Sequence, residues 1–399
     1  MLRYRYVCVL LLLSIVEMVF VGCSSEIDTT PEYKFETDCQ YYNCVVDGQY
    51  VLAETEESFY YLESPYLRVI DKKTMKSSYL CNKPDCLHAE QNVSSESERF
   101  RCNAYVGNYS PLWGISYSEG YLYFVRKDSL GITNDPYAAW LVQLSLDGTS
   151  CKYLWKVTWD QGNKGTLLFT TMHRGKFYLL VHQSEGKETF SSVYAYDLVK
   201  KKQECVIRYD DYVDNMMLIG NYLYLDRSDS LNTSKIRYDL SSGEVTELTD
   251  CQIVFPIDKT LVAYYDHAEK TEDGRQYRRW FTCKGPQGEE EICSILDFSE
   301  ENGDSKWLQS DGMKIYVMDG YFGKELRVYS LESGNILSTI EFPEAVKQWK
   351  DIRTFTLSQD GRIILFNVTM AREDMTFFYC NISDIGTDAF QWYEVERIN

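Results

Sequence analysis

The chain has 399 residues, 60 of them acidic and 41 basic, for a net charge of −19. That balance excludes a nucleic-acid binder, which needs basic surface to displace counterions, and it disfavours spreading on anionic lipid. Tyrosine is abundant (33) and histidine scarce (4), a composition for pleated, packed strands rather than for a histidine-based reaction centre.

Residues 1–22 read as a secretion signal. Arg3 and Arg5 supply the positive start, and Val7 to Phe20 supplies an apolar run broken by Ser14 and Glu17. The run is too short and too interrupted for a transmembrane span. It ends in Phe20-Val21-Gly22-Cys23-Ser24-Ser25, which resembles a bacterial lipoprotein signal, with Phe20 where that family usually carries Leu. The resemblance implies that Cys23 becomes the first residue and carries the lipid. The protein would then sit on the extracytoplasmic face of the cell membrane, each buried methylene contributing about 0.8 kcal/mol. Residues 23–42 are polar, with Thr29, Thr30 and Pro31, and read as a flexible tether from that anchor. Beyond the leader the net charge is −20.

From residue 43 to 399 one short pattern recurs. A Gly-centred turn follows an apolar strand, a second strand follows the turn, and a third ends on an aromatic and a polar residue. The second strand appears as Phe59-Tyr60-Tyr61-Leu62, Leu122-Tyr123-Phe124-Val125, Phe177-Tyr178-Leu179-Leu180, Leu223-Tyr224-Leu225, Val262-Ala263-Tyr264, Ile315-Tyr316-Val317 and Ile363-Ile364-Leu365-Phe366. The polar residue after the third strand forms a column: Asp71, Ser145, Asp197, Asp239, Lys284, Ser330 and Asn381, with spacings of 74, 52, 42, 45, 46 and 51. A period of roughly 40–50 residues built from short strands indicates a β-propeller. The expected fold is therefore all-β, with seven four-stranded blades, six or eight being allowed by the weak first and fifth units. The first strand is expected near Cys44 and the last between Gln391 and Ile398, so that the chain ends meet in neighbouring blades. The Tyr-Asp-Leu then Gly corner at 238–243 resembles the TolB-like and quinoprotein-like bacterial propellers.

The first unit is about 25 residues longer than the others. Its excess, at 81–105, holds Cys81-Asn82-Lys83-Pro84-Asp85-Cys86-Leu87-His88 and Cys102-Asn103-Ala104-Tyr105. This segment is similar to one in lipoprotein propellers of anaerobic, clostridial-type bacteria. Three readings stand. Cys81, Cys86, His88 and Cys102 form a Cys₃His site for a structural zinc; or two of the cysteines pair as a disulfide; or the thiols are free in a reducing niche. Cys39 and Cys44 repeat the spacing of Cys81 and Cys86 and are candidates to pair with each other or with the insert. Cys283 and Cys380, which stand where other units have Tyr, read as core residues.

No catalytic signature is present: no Gly-x-Ser-x-Gly, no His-Glu-x-x-His and no phosphate-cradling glycine loop. Ser145-Leu146-Asp147-Gly148 and Ser358-Gln359-Asp360-Gly361 read as hairpin turns, and Asp210, Asp211 and Asp214 as a solvated acidic loop. His173, His182 and His267 read as surface residues. Loops entering the inner strands carry Trp113, Trp159, Tyr212, Trp307 and Trp349, which line a candidate ligand mouth suited to sugars, peptides or amines. No cofactor is required by the sequence. The functional expectation is a non-catalytic module that binds a small molecule, a glycan or a protein. The alternatives are a glycan hydrolase or lyase using channel carboxylates, and a structural subunit of an envelope assembly.

Overall fold

The structure is a computed structural model. It describes residues 33–40, 44–45, 49–50, 52–83, 86, 102–106, 114–127, 139–157, 166–185, 188–229, 232–248, 251–257, 260–270, 277–284, 291–300, 306–320, 323–350, 352–368 and 375–398, with the backbone alone at 44–50 and 251–300. The leader and Cys23 lie outside the described residues.

A two-stranded hairpin, β1 (Cys44–Val45) and β2 (Gln49–Tyr50), precedes seven antiparallel sheets. Blade 1 is β3 (Leu52–Glu54), β4 (Ser58–Glu63), β5 (Tyr66–Asp71) and β6 (Lys76–Tyr79). Blade 2 is β7 (Ile115–Ser118), β8 (Tyr121–Lys127), β9 (Ala139–Ser145) and β10 (Cys151–Val157). Blade 3 is β11 (Thr166–His173), β12 (Lys176–Glu185), β13 (Glu188–Asp197) and β14 (Lys202–Tyr209). Blade 4 is β15 (Val213–Ile219), β16 (Tyr222–Asp229), β17 (Asn232–Asp239) and β18 (Val245–Leu248). Blade 5 is β19 (Cys251–Ile257), β20 (Thr260–Lys270), β21 (Tyr277–Lys284) and β22 (Glu291–Glu300). Blade 6 is β23 (Lys306–Ser310), β24 (Lys314–Asp319), β25 (Glu325–Ser330) and β26 (Ile336–Glu341). A short helix, α1 (Glu344–Lys347), leads to blade 7: β27 (Ile352–Leu357), β28 (Arg362–Val368), β29 (Phe377–Asn381) and β30 (Tyr393–Glu394). The last strand, β31 (Glu396–Arg397), crosses to blade 1 and pairs in parallel with β6. The expected seven-bladed all-β propeller is the fold. Its first strand is not at Cys44, which belongs to the separate hairpin; the blades begin at Leu52.

The second strands are apolar on both faces because each blade is covered on both sides. Side chains alternate along a strand, so neighbouring residues serve different interfaces. In β12, Phe177, Leu179 and Val181 pack with Tyr123, Val125 and Leu141 of blade 2, whereas Tyr178 and Leu180 pack with Leu218 and Leu223 of blade 4. In β28, Ile363 and Leu365 face blade 6, and Ile364 and Phe366 face Phe59 and Tyr61 of blade 1. Each such side chain contributes about 1.5–3 kcal/mol on burial. The tyrosines follow the same rule, with their hydroxyls finding polar partners: Tyr61 meets Ser77 Oγ at 2.7 Å, and Tyr316 donates to Asp311 at 2.7 Å.

Ring closure rests on β31 and its neighbours. Val395 is buried between blades 7 and 1, its N–H donating to Phe377 O, while Ile398 N–H donates to Ser77 O. Arg397 also pairs with Glu63.

The column of polar residues that ends each third strand has a direct explanation. Asp71 accepts from the Thr74 N–H and hydroxyl, Asp197 from the N–H groups of Val199 and Lys200, Asp239 from those of Ser241 and Ser242, and Ser330 Oγ from Ser333 N–H. These side chains close the turn into the outer strand.

Candidate functional site

The cysteine insert leaves β6 and returns against β5. Leu80 N–H donates to Leu67 O at 3.0 Å, Leu67 N–H to Ala104 O at 2.7 Å and Val106 N–H to Pro65 O at 2.9 Å. Both limbs of the insert are thereby laced to the start of β5. The result places the sulfur atoms of Cys81, Cys86 and Cys102 all within 4.8 Å of one another. All three are thiols in this structure. Cys102 is buried, and Cys81 and Cys86 are half-buried. Burial pushes the Cys102 thiol well up, and the sulfurs of Cys81 and Cys86 add to the shift; the Ala104 N–H, donating to the Cys102 sulfur, opposes it. Among the described residues, this is the one gathering of three or more Cys, His, Asp or Glu ligand atoms close enough for a metal ion. His88, the expected fourth ligand, lies outside the described residues.

Blade 2 closes over the same insert. Asn103 Nδ2 donates to Gly148 O at 2.7 Å and to Thr149 O at 3.0 Å. Gly148 has φ +71°, and a Cβ there would lie 2.5 Å from Leu80 O. Glycine at this turn is what lets the β9–β10 hairpin reach the insert backbone. Cys151, the first residue of β10, packs in the same cluster as the three thiols, its own thiol raised by burial against the opposing charge of Arg126.

A second constellation was not foreseen. Residues 33–40 lie against the β3–β4, β7–β8 and β11–β12 turns: Gln40 bonds the Glu54 backbone, Glu119 N–H donates to Glu36 O and Arg174 N–H to Thr37 O. These residues, expected to belong to a free tether, are instead fixed by buried polar contacts. Asp38 is fully buried and pairs with Arg174, Nε to Oδ1 at 2.7 Å and Nη2 to Oδ2 at 3.0 Å. The Cys39 N–H donates to His173 Nδ1 at 3.0 Å, which leaves Nε2 as the proton-bearing nitrogen facing Gly220 O at 2.8 Å. Gln40 and Glu54 exchange two hydrogen bonds through Gln40's amide. Glu54 in turn holds Lys72 at 2.5 Å and accepts from the Gln359 N–H. Burial raises the Glu54 carboxyl, with Lys72 pulling it back. At the other end of the arm Tyr117 donates to Glu36 at 2.5 Å, and burial followed by that contact pushes its hydroxyl up to about 12. The arm thus touches blades 1, 2 and 3 and, through His173, blade 4.

Several expectations change. His173 is a buried structural group, not a surface one. His267 lies within β20 rather than in a loop. Cys39 does not join the insert: its sulfur accepts from Thr171 Oγ1 at 3.2 Å, inside the core of blades 3 and 4. Cys380 is a buried core residue as expected; the side chains of Cys44 and Cys283 lie outside the described residues. The residues of the acidic loop diverge, Asp210 pointing toward Arg208 at 3.6 Å and Asp211 capping its own turn.

Of the five aromatics expected at the ligand mouth, Trp113 and Trp159 lie outside the described residues. Trp307 and Trp349 pack on the core around blades 6 and 7, Trp349 with its ring 5.9 Å from that of Phe378. Tyr212 remains 39% exposed at the entry to β15, edge-on to His182 at 4.6 Å. Desolvation lowers the basicity of His182.

No family model matches the chain, and no curated protein matches it by sequence. Solved structures do match. An oligogalacturonate lyase in complex with manganese is 11% identical, with 88% of this chain and 89% of that chain covered and a TM-score of 0.53. The oligogalacturonate lyase of Vibrio parahaemolyticus is 10% identical over 87% and 91% of the two chains, with a TM-score of 0.51. The likeness is one of fold: this chain is a β-propeller. TolB from Acinetobacter baumannii, 11% identical over 70% of this chain and 61% of that one, has a TM-score of 0.34 and carries no argument.

Proposed function

We propose that the chain is an extracytoplasmic propeller, lipid-anchored through Cys23, that binds a small molecule, glycan or protein at one mouth of its channel and catalyses nothing. The observation that carries this reading is the arm at 33–40, fixed by Asp38, Cys39 and Gln40 on the face of the β3–β4 and β11–β12 turns. Tyr33 stands ten positions after Cys23, a reach of at most about 35 Å when extended. A lipid on Cys23 would hold that face toward the membrane and turn the face where β14 leads into β15, with Tyr212 exposed, away from it. A non-catalytic role is supported by the commitment of His173 and Glu54 to structural bonds.

Fractionation tests the anchor: the full chain should stay with membranes, and Cys23→Ala should appear in the medium or periplasm. Retention of that variant would sink the anchor. Incubation of the purified chain with oligogalacturonate and manganese should yield no unsaturated product. Its appearance would replace the binding reading with the lyase one.

A further inference from the structure

We propose that Cys81, Cys86 and Cys102 hold a single zinc ion as three thiolates, and that this ion staples the insert between blades 1 and 2. On binding, each thiol gives its proton to solvent and three Zn–S bonds form, so the dication and three thiolates leave one net negative charge. A fourth ligand completes the tetrahedron. Water can take that place.

Geometry favours one ion over a disulfide. Tetrahedral zinc with Zn–S bonds of about 2.3 Å sets its sulfurs about 3.8 Å apart. The three sulfurs are already within 4.8 Å of one another, so a small contraction completes the site. A disulfide needs one pair drawn to about 2.05 Å and leaves the third sulfur over. Three soft ligands in one small volume select zinc over calcium or magnesium, which take hard oxygens. An iron–sulfur cluster would spread its cysteines over several irons and set them farther apart than these are.

The surroundings are those of a metal site. Ala104 N–H donates to the Cys102 sulfur, a bond that stabilises a thiolate and orients it. The Cys86 N–H donates to Lys83 O at 3.2 Å, forming the turn that returns Cys86 toward Cys81. Lys83 Nζ, 3.3 Å from Asn103 Oδ1, ties the two limbs of the insert together. Burial of Cys102 disfavours an isolated thiolate, and a directly bonded dication offsets that cost. The role is structural: the sulfurs sit in the packed cluster of Leu67, Ala104 and Tyr105, and blade 2 grips the insert through Asn103 and Gly148.

Elemental analysis of the full chain, purified with reductant and without chelator, should give about one zinc per chain. Cys81→Ser and Cys86→Ser should each lose it, while Cys205→Ser, altering an exposed thiol on blade 3, should keep it. Cys102→Ser is the least useful variant, because its burial risks misfolding; circular dichroism should show the other two folded. Cobalt added to the reduced metal-free chain should give thiolate-to-cobalt charge-transfer and tetrahedral bands, absent in Cys86→Ser. A reduced chain that takes up no zinc or cobalt would overturn the proposal. So would zinc retained in both serine variants, or a peptide map linking two of these cysteines in protein never exposed to added oxidant.

Discussion

Two segments outside the blade strands are fastened to this propeller, by different chemistry. The arm at 33–40 brings its own counter-charges and hydrogen-bond partners: Asp38 meets Arg174, Cys39 N–H meets His173 and Gln40 meets Glu54. The insert brings three sulfurs to one point and no cation of its own among them. The arm's attachment is therefore complete within the chain, whereas the proposed zinc would make the insert's full strength depend on an ion from solution. One is a fixed element of the fold; the other, on that proposal, is conditional on supply, as metal-linked folding generally is.

The largest expected effect breaks the first attachment. Arg174→Ala leaves Asp38 fully buried without its cation, a loss of about 3–5 kcal/mol if the arm stays docked. The arm can instead leave and rehydrate Asp38, so the fall in stability is bounded by the docking free energy of residues 33–40. Urea unfolding should show the loss, and limited proteolysis should cut within 33–40 in the variant but not in the parent chain. The double variant Asp38→Ala/Arg174→Ala should cost less than the sum of the singles, because it strands no charge. Additive effects with an uncut arm would mean that the pair contributes nothing to docking.

A smaller effect sharpens the comparison from the other side. Gly148→Ala places a methyl 2.5 Å from Leu80 O at a residue with φ +71°. The hairpin of blade 2 must then withdraw from the insert, at a cost on the order of 1–3 kcal/mol. Calorimetry should show a lower Tm, while the arm keeps its resistance to protease. An unchanged Tm would show that blade 2 does not brace the insert.

The two attachments were unequally visible in the sequence. The thiols announce themselves, because cysteine at close spacing has few structural uses, although their mutual distance depends on Leu67 and Ala104 pairing across the returning strand. The blades were legible from the Tyr- and Ile-rich second strands and from the Asp and Ser column, whose members turn out to cap the same turn. The arm was hidden by its composition: Thr37, Asp38 and Gln40 look solvated, and their partners Arg174 and Glu54 lie more than a hundred residues away or in another element. Its signal was Tyr33 and Phe35, aromatics that a free tether has no reason to carry; Phe35 packs 6.0 Å from Tyr117. Arg174 was a second clue, standing with φ 48° before Gly175 in a tight hairpin where Asn or Asp is the usual residue. Trp307 and Trp349 misled because a loop position does not reveal whether a ring faces the channel or the blade beneath it.

Acid should produce the mildest change in the blades, through the carboxylates that close their turns. Hydrogen bonds from Thr74 hold the Asp71 carboxyl below the usual carboxylate range, and those from Ser145 and Thr149 hold Asp147 at about 2. Burial pulls Asp197 and Asp239 upward, but the turn N–H groups, joined at Asp239 by the Ser241 hydroxyl, prevail and both end below their ordinary value. Because these groups bind protons less readily folded than unfolded, the stability they contribute is present above about pH 4, the ordinary aspartate range, and is lost as pH falls through their depressed values. Between pH 7 and 5 their contribution to the urea midpoint should be constant; below about pH 4 it should fall. The acid limb should be shallower in Asp71→Asn/Asp239→Asn, whose amides can still accept from the turn N–H groups but no longer titrate. A limb of unchanged steepness would mean that acid unfolding is driven by other carboxylates, and that the column of polar residues shapes the turns without linking them to pH.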